Sequence, residues 1–262
     1  MRIAIVAGTG TAGLVTARDW SQVDTPFGPA FVAVGRIGGR DIAVLARHGP
    51  GMNIPPHLIN YRANMWALKE AQITRVIATA AVGSLREGLR PGTFSVVTDF
   101  IDFTKRRVGT FFEQPGDTVM HTDFSVPYCP RISGAIRQAA VEVGAGDCPP
   151  ATYVCVDGPR YETPAEVHMF ASWGGDVVGM TGVPEVVLAR ELGLCYGALA
   201  IITNYAAGIS AEPLSHAQVV ESVAEQGPLI LDLLHQVVAL TYDDQECEHC
   251  VAKHPDSPGT DA

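Results

Sequence analysis

The chain has 262 residues, of which 47% are hydrophobic, and carries a formal net charge of −10 at neutral pH. This length and apolar content are enough for one sizeable core, and the basic residues cluster only at Lys105, Arg106 and Arg107, which argues against a nucleic-acid-binding surface. Every apolar run is far shorter than the roughly 20 residues that cross a membrane, and the N-terminal run ends in glycines rather than a cleavage site. We therefore expect a cytoplasmic protein with no membrane partner.

Strand-like and helix-like segments alternate along the chain. In chain order, the pattern predicts a strand over residues 2–7, a hairpin with strands 30–36 and 41–47, a helix over 60–71, and strands over 74–81 and 94–101. It then predicts a helix over 131–143, a strand over 151–156, a helix over 164–173, a strand over 176–180, a helix over 184–192, a strand over 196–203 and a helix over 215–239. Gly227 and Pro228 are expected to kink or interrupt that last helix.

This order predicts an α/β fold: a twisted, mixed and mostly parallel sheet flanked by helices in a three-layer sandwich. Residues 1–240 are expected to form a single domain, and residues 241–262 a polar and flexible tail. Ligands of such sheets bind beyond the carboxyl ends of the strands. Several polar or glycine-rich segments fall at those ends: residues 8–10, 47–49, 80–81, 180–181 and 203–204.

The six cysteines form two groups. Cys129, Cys148, Cys155 and Cys195 stand singly among apolar or loop residues, as is typical of small buried side chains in a reducing compartment. Cys247, His249 and Cys250 have the spacing of zinc ligands, but only one CxxC pair is present and it stands in the polar tail. The composition favours a solvated tail and no metal at the functional site, and leaves adventitious metal binding there open.

Glycines follow the first strand in a GxGxxG pattern at Gly8, Gly10 and Gly13. The pattern is typical of dinucleotide-binding folds, where it opens a long helix. Here residues 20–28 have the composition of a loop instead. We expect the glycines to let backbone amides approach an anion closely, with the Thr9 hydroxyl as a further donor, while a tight turn without a ligand remains the alternative.

Seven segments in order make the chain resemble the trimeric family of purine nucleoside phosphorylases and methylthioadenosine phosphorylases. They are residues 8–10, 46–49, 60–64, 83–86, 158–163, 180–185 and 203–204, so that the resemblance runs from about residue 3 to about residue 240. It implies phosphate-dependent cleavage of a purine nucleoside by a homotrimer or a dimer of trimers. Inorganic phosphate is then a co-substrate and no cofactor is expected.

The resemblance also implies site residues. It assigns phosphate binding to Thr9, Arg47, His48, Ala80, Ala81 and Thr181. It assigns nucleoside binding to Tyr161, Glu162, Met180, Asn204, Tyr205, Ala206 and His216, with His121 approaching the ribose from a neighbouring subunit. The planar guanidinium of Arg47 suits phosphate oxygens, which agrees with its assignment.

Glu162 and Asn204 are interpreted as the catalytic pair. An ionised Glu162 accepts the N1–H of hypoxanthine or guanine, whereas adenine presents an acceptor at N1. The Asn204 amide can donate to O6 and accept from a protonated N7, which relieves charge on the leaving base. In methylthioadenosine phosphorylases, Ser and Asp occupy these two positions. The alternative for Glu162 is a favourable charge at a helix N-terminus.

The residues leave the exact substrate open. His216 either contacts a ribose 5′-hydroxyl or is merely a helix N-terminal residue after Ser215, and residues 60–69 and 184–190 resemble the methylthio branch. Inosine, guanosine and 5′-methylthioinosine all fit, and a methylthioadenosine phosphorylase is the alternative. A nucleoside hydrolase would need a calcium-binding Asp cluster near the N-terminus, and a non-enzymatic nucleotide-binding module would not need Arg47, Glu162 and Asn204 together.

Overall fold

The computed structural model describes residues 2–11, 18–113, 119–210, 214–243 and 247. Within these residues the strands are β1 (Ile3–Ala7), β2 (Arg18–Thr25), β3 (Gly28–Ile37), β4 (Arg40–Ala46), β5 (Arg75–Ser84), β6 (Phe94–Asp102), β7 (Pro150–Cys155), β8 (Val177–Gly179) and β9 (Cys195–Tyr205). The helices are α1 (Tyr61–Glu70), α2 (Pro130–Glu142), α3 (Pro164–Ser172), α4 (Gly182–Glu191), α5 (His216–Glu225) and α6 (Gly227–Thr241).

The strands form one mixed sheet in the order β2-β3-β4-β1-β5-β8-β7-β6-β9. Strands β4, β1, β5 and β9 run parallel at its centre, whereas β2-β3-β4 is an antiparallel meander. An additional pairing of β5 with β9 closes β5, β8, β7, β6 and β9 into a ring. The mixed sheet confirms the predicted fold class, and the parallel centre brings the carboxyl ends of β1, β4, β5 and β9 to one edge.

Helices cover both faces of the sheet. One apolar cluster joins the sheet to α1 and α4 through residues such as Met65, Leu68 and Val186. A second cluster joins the opposite face to α2 and α6, through Ile136 and Leu234 among others. All five residues of β1 are buried, as expected for a strand covered on both faces. None of the helices in the described part of the chain is long and apolar enough to cross a membrane.

Strand β2 corrects the sequence-based expectation of a loop at residues 20–28. It pairs with β3 only at one of its edges, and its register is irregular between Arg18 and Ser21. An edge strand leaves many side chains in solvent, so that the apolar alternation that marks a strand is weak there. The third glycine of the GxGxxG pattern, Gly13, lies outside the described residues.

The predicted interruption of the last helix is confirmed. Helix α5 ends at Glu225 and α6 begins at Gly227, with Pro228 in its first turn. Proline is tolerated there because the first amides of a helix have no intrahelical acceptor. The predicted burial of Cys129, Cys148, Cys155 and Cys195 is confirmed as well.

Candidate active site

A cavity of about 600 Å³ opens at the carboxyl ends of β1, β4, β5 and β9. The loop of residues 52–56, the segments 159–162 and 178–181 and helix α5 complete its wall. This volume lies within the range of about 300–1,000 Å³ that is typical of small-molecule sites.

The structure brings most of the predicted site residues together. The cavity is lined by Thr9, Arg47, His48, Ala80, Ala81, Tyr161, Glu162, Met180, Thr181, Asn204, Ala206 and His216. Two predicted residues lie elsewhere: Tyr205 donates from its hydroxyl to the carbonyl oxygen of Glu87 over 3.3 Å, and His121 is exposed in the segment between β6 and α2.

The glycine loop after β1 forms one end of the cavity. A Cβ atom at Gly8 would lie 2.8 Å from Nη1 of Arg47 and 2.7 Å from the carbonyl oxygen of Thr79. Gly10 has a φ of +74°, and a Cβ atom there would lie 2.6 Å from Cγ1 of Val223 on α5. Both positions therefore require glycine, because neighbouring groups pack directly against the backbone.

Arg47 is held in a buried ion pair that the sequence does not predict. Its Nε and Nη2 atoms each lie 2.6 Å from an oxygen of Glu185, and Nη1 donates to the carbonyl oxygen of Thr79 over 2.7 Å. The Tyr196 hydroxyl donates to the same carboxylate over 2.6 Å. Burial alone would lower the pKa of Arg47, but the charge and hydrogen bonds of Glu185 outweigh it and raise that pKa.

The pair changes what Arg47 offers to a ligand. The side chains of Arg47 and Glu185 are 1% and 0% exposed, so that the carboxylate neutralises most of the guanidinium charge within the protein. Three of the five N–H donors are engaged, which leaves two without a protein acceptor among these contacts, on a side chain that lines the cavity. In the sequence, Glu185 closes the family segment 180–185 and is a lone carboxylate in the otherwise apolar run of residues 182–189, but neither feature indicates Arg47 as its partner.

His48 lines the cavity as a neutral ring. Its Nδ1 lies 2.8 Å from the carbonyl oxygen of Ile54, and since a carbonyl can only accept, Nδ1 carries the hydrogen. Burial and the neighbouring charge of Arg47 lower the pKa of His48 below its ordinary value of 6.5. In the neutral ring Nε2 is an acceptor, which suits a hydroxyl group of a partly protonated anion.

Glu162 lies in the loop between β7 and α3, and it is 8% exposed. Burial raises its pKa above the ordinary value of 4.5. The N-terminus of α3 is capped instead by Thr163 and Glu166, which form a reciprocal capping box. These two residues already satisfy the N-terminus of α3. The helix therefore does not need Glu162 as a favourable charge at that end, which was the alternative interpretation of this residue.

Asn204 stands at an irregularity in the sheet. The register between β5 and β9 shifts at Gly83, which pairs with Asn204, and such a bulge changes the direction of the side chain. The Asn204 Oδ1 accepts from the Thr203 hydroxyl over 2.8 Å, and Nδ2 donates to the carbonyl oxygen of Tyr205 over 2.9 Å. One lone pair and one N–H remain for a ligand, in a fixed orientation.

The position of His216 is compatible with both interpretations that the sequence leaves open, and its contact with a 5′-hydroxyl stays a prediction. Ser215 is the N-cap of α5 and His216 is the first residue of the helix. His216 also lines the cavity, together with Val219 and Val220 one turn further along α5. The outer end of the cavity therefore combines one imidazole with an apolar wall.

Comparison with known proteins identifies the family of the chain. A family model described as the phosphorylase superfamily matches residues 2–239, which is nearly the whole described chain. The chain belongs to the phosphorylase superfamily.

Three similar proteins illustrate the range of this superfamily. A probable 6-oxopurine nucleoside phosphorylase from Moorella thermoacetica is 49% identical and aligns over 91% of this chain and 92% of its own length. A probable S-methyl-5′-thioinosine phosphorylase from Methanothermobacter thermautotrophicus is 40% identical, over 94% of this chain and 86% of its own. The methylthioadenosine phosphorylase from Schistosoma mansoni, solved in complex with adenine, superposes with a TM-score of 0.85 at 34% identity, covering 92% of this chain and 91% of that one.

In this phosphorylase, Tyr153 supports the turn that carries Met180 and Thr181. Its hydroxyl accepts from the backbone amides of Thr181 and Gly182 over 3.2 and 3.4 Å. The Tyr153 ring packs so closely against this turn that a Cβ atom at Gly182 would lie 2.9 Å from it. Sequence patterning cannot distinguish this tyrosine from an ordinary core residue of β7.

Arg107 supports the same turn from the other side. It donates to the carbonyl oxygens of Met180 and Val183 over 2.7 and 2.5 Å, and to that of Asp157 over 3.0 Å. Its side chain is 5% exposed and also lies over the ring of Tyr61. In the sequence it belongs to a short basic cluster, which gives no sign that it organises the cavity wall.

Proposed function

We propose that this phosphorylase cleaves 6-oxopurine nucleosides with inorganic phosphate and releases the free base and ribose 1-phosphate or its 5′-methylthio analogue. The observation that carries the proposal is that the buried carboxylate of Glu162 and the oriented amide of Asn204 line one cavity. The relative at 49% identity is a probable 6-oxopurine nucleoside phosphorylase, which supports the same assignment.

The base end of the cavity matches a 6-oxopurine. A carboxylate at Glu162 accepts the N1–H of hypoxanthine or guanine, but has nothing to accept from N1 of adenine. The remaining N–H of Asn204 donates to O6, and its remaining lone pair accepts from N7 once the base has taken up the proton that phosphate gives up in the net reaction. As the bond between C1′ and N9 breaks, its electron pair passes to the purine, and these contacts stabilise the negative charge that develops there.

The phosphate end consists of the glycine loop, Thr9, Arg47, His48 and Thr181. Phosphate is itself the nucleophile at C1′, so that the protein needs chiefly to position it and to reduce its repulsion from the departing base. The two remaining N–H donors of Arg47 and the hydroxyl groups of both threonines supply donors, and the neutral His48 accepts from a protonated phosphate oxygen.

The sugar end favours neither substrate type outright. The imidazole of His216 can bind a 5′-hydroxyl, whereas Val219, Val220 and Met52 offer apolar contacts to a 5′-methylthio group. We therefore propose that both inosine and 5′-methylthioinosine bind. The second candidate is cleavage of methylthioadenosine, which the likeness to the Schistosoma mansoni enzyme favours.

We propose a homotrimer as the working assembly. His121 is exposed on this chain and does not line its own cavity. Both properties are expected of a residue that reaches the ribose in the site of a neighbouring subunit, as the family resemblance implies for His121. Light scattering after size-exclusion chromatography tests the assembly, and a monomeric mass with full activity would contradict it.

Parallel measurement of base release by chromatography tests the proposed reaction. The substrates are inosine, guanosine, adenosine, 5′-methylthioinosine and 5′-methylthioadenosine, each with and without phosphate. We expect hypoxanthine and guanine to appear only with phosphate, and adenine release to be much slower. Dominant adenine release would support the second candidate, while absence of any phosphate-dependent release would contradict both.

A further inference from the structure

Three cysteine sulfurs meet in the core on the face of the sheet covered by α2 and α6. The sulfur atoms of Cys129, Cys195 and Cys247 all lie within 4.8 Å of one another, and those of Cys129 and Cys247 are 3.6 Å apart. Exposure of these residues is 1%, 8% and 8%, and none of the three lines the cavity of the candidate active site. Cys247 is thus buried, although the sequence predicts a solvated tail there.

The spacing fits the coordination shell of a metal ion. A tetrahedral zinc ion bound to thiolates at about 2.3 Å places its sulfur ligands about 3.8 Å apart. A disulfide would bring two sulfurs to about 2.05 Å, far closer than the 3.6 Å between Cys129 and Cys247. A disulfide would also use only two of three sulfurs that stand together, whereas a metal ion uses all three.

Two of the cysteines stand on firmly held backbone. The amide of Cys129 donates to the carbonyl oxygen of Tyr196 over 2.8 Å, and the amide of Cys195 donates to that of Thr74 over 2.9 Å. Cys129 is also the N-cap of α2, where the helix dipole favours a negatively charged group. These elements hold two ligands in place before any metal binds, as precise metal sites require.

A charged anchor holds the chain four residues before the third cysteine. Arg75 donates to the backbone carbonyl oxygen of Asp243 over 2.6 Å, and both Arg75 and Arg131 form ion pairs with the Asp243 carboxylate. This anchor fixes the chain four residues before Cys247. The arginines also place positive charge near a site where three thiolates and a divalent cation would carry a net negative charge.

We propose that Cys129, Cys195 and Cys247 bind a thiophilic divalent metal ion, Zn²⁺, which ties the C-terminal segment to α2 and β9. Thiolates select zinc over magnesium or calcium, which prefer oxygen ligands. The described residues supply three of the four ligands that a tetrahedral zinc ion takes, and His249 and Cys250, the other tail residues with zinc-ligand spacing, lie outside the described residues. The site is structural, and its existence is independent of the proposed reaction because it shares no residue with the cavity.

Metal content and cobalt spectroscopy test the site. Full-length protein is reduced, incubated with Zn²⁺, desalted and analysed by mass spectrometry for metal; we expect about one zinc ion per chain. Since loss of even an outer-shell partner weakens metal sites by about 10–100-fold, Cys129→Ser, Cys195→Ser and Cys247→Ser should each lose at least that much affinity. Substitution with Co²⁺ should give thiolate charge-transfer bands that weaken in each variant.

Cys148→Ser is the matched control, since Cys148 is equally buried but outside the cluster. It should retain the zinc and the cobalt bands. Cys247 lies beyond the last helix. The Cys247→Ser variant should therefore lose its zinc while its circular dichroism spectrum and its rate of base release stay unchanged. Zinc content that is absent from the wild type, or equal in all variants, would overturn the proposal, as would a disulfide between Cys129 and Cys247 in peptide maps of the purified protein.

Discussion

Arg47 and Glu185, which are 138 residues apart in the chain, form a bidentate ion pair directly behind the proposed phosphate site. The pair fixes the guanidinium beside Gly8 and leaves it only two donors for a ligand. Arg47 is thereby oriented before phosphate arrives, which reduces the entropy lost on binding.

Breaking this pair from one side should destabilise the fold. In the Glu185→Leu variant the buried guanidinium loses its counter-charge, which typically costs about 3–5 kcal/mol. The double variant Arg47→Met/Glu185→Leu removes both charges, and we expect it to recover most of that loss while phosphorolysis stays abolished. Urea unfolding measures both effects. Equal destabilisation in the single and double variants would show that packing, rather than the unpaired charge, determines the loss.

Asn204→Ala should act mainly on the chemical step. The amide contacts the base most strongly as negative charge develops, so we expect kcat to fall about 10²–10³-fold, with little change in the KM for phosphate. Steady-state kinetics with inosine measures both constants. A parallel loss of phosphate affinity would contradict the role assigned to Asn204.

The base preference should depend on pH through Glu162. Burial raises its pKa above 4.5, so that as pH falls this carboxyl takes up a proton earlier than an exposed glutamate does. The protonated group donates instead of accepting, which suits N1 of adenine and opposes the N1–H of hypoxanthine. We expect the preference for inosine over adenosine to decline with falling pH in the wild type. The Glu162→Gln variant has no titrating group there, and an equal decline in that variant would contradict the assignment.

Tyr153→Phe should weaken phosphate binding selectively. It removes the acceptor of the amides of Thr181 and Gly182, and an unsatisfied buried polar group costs about 1–3 kcal/mol. We expect a raised KM for phosphate and a smaller change in the KM for inosine, measured by initial rates. Tyr128→Phe is the control, since Tyr128 is a buried tyrosine of the same apolar cluster. If both variants behave alike, the turn does not depend on the Tyr153 hydroxyl.

The sequence predicted best those strands that are buried on both faces of the sheet. β1, β5 and β9 are almost entirely buried, so that their apolar runs predict central strands and the polar residues that follow them predict the site. Edge strand β2 lacks that pattern because solvent covers most of its length. Tyr205 was predicted beside Asn204, but neighbouring residues of a strand point to opposite faces, and its hydroxyl instead reaches Glu87.

Contacts between residues that are far apart in the chain could not be predicted from local sequence patterns. Glu185 meets Arg47, and Cys247 meets Cys129 across 118 residues, only because the sheet topology brings them together. No local periodicity records such a contact. Most of the residues that the family resemblance assigned line the cavity, but the resemblance did not point to Arg107 and Tyr153, which contact the backbone of the turn that carries Met180 and Thr181.

The ratio of kcat/KM for 5′-methylthioinosine to that for 5′-methylthioadenosine, at saturating phosphate, tests the central claim most directly. The two substrates share one sugar, so their difference isolates the base contacts of Glu162 and Asn204. A site with buried polar groups that pair with one base and not the other discriminates by about 10⁴-fold, and we predict a preference for the inosine compound of that order. A ratio near or below unity would contradict the assignment of these two residues to a 6-oxopurine.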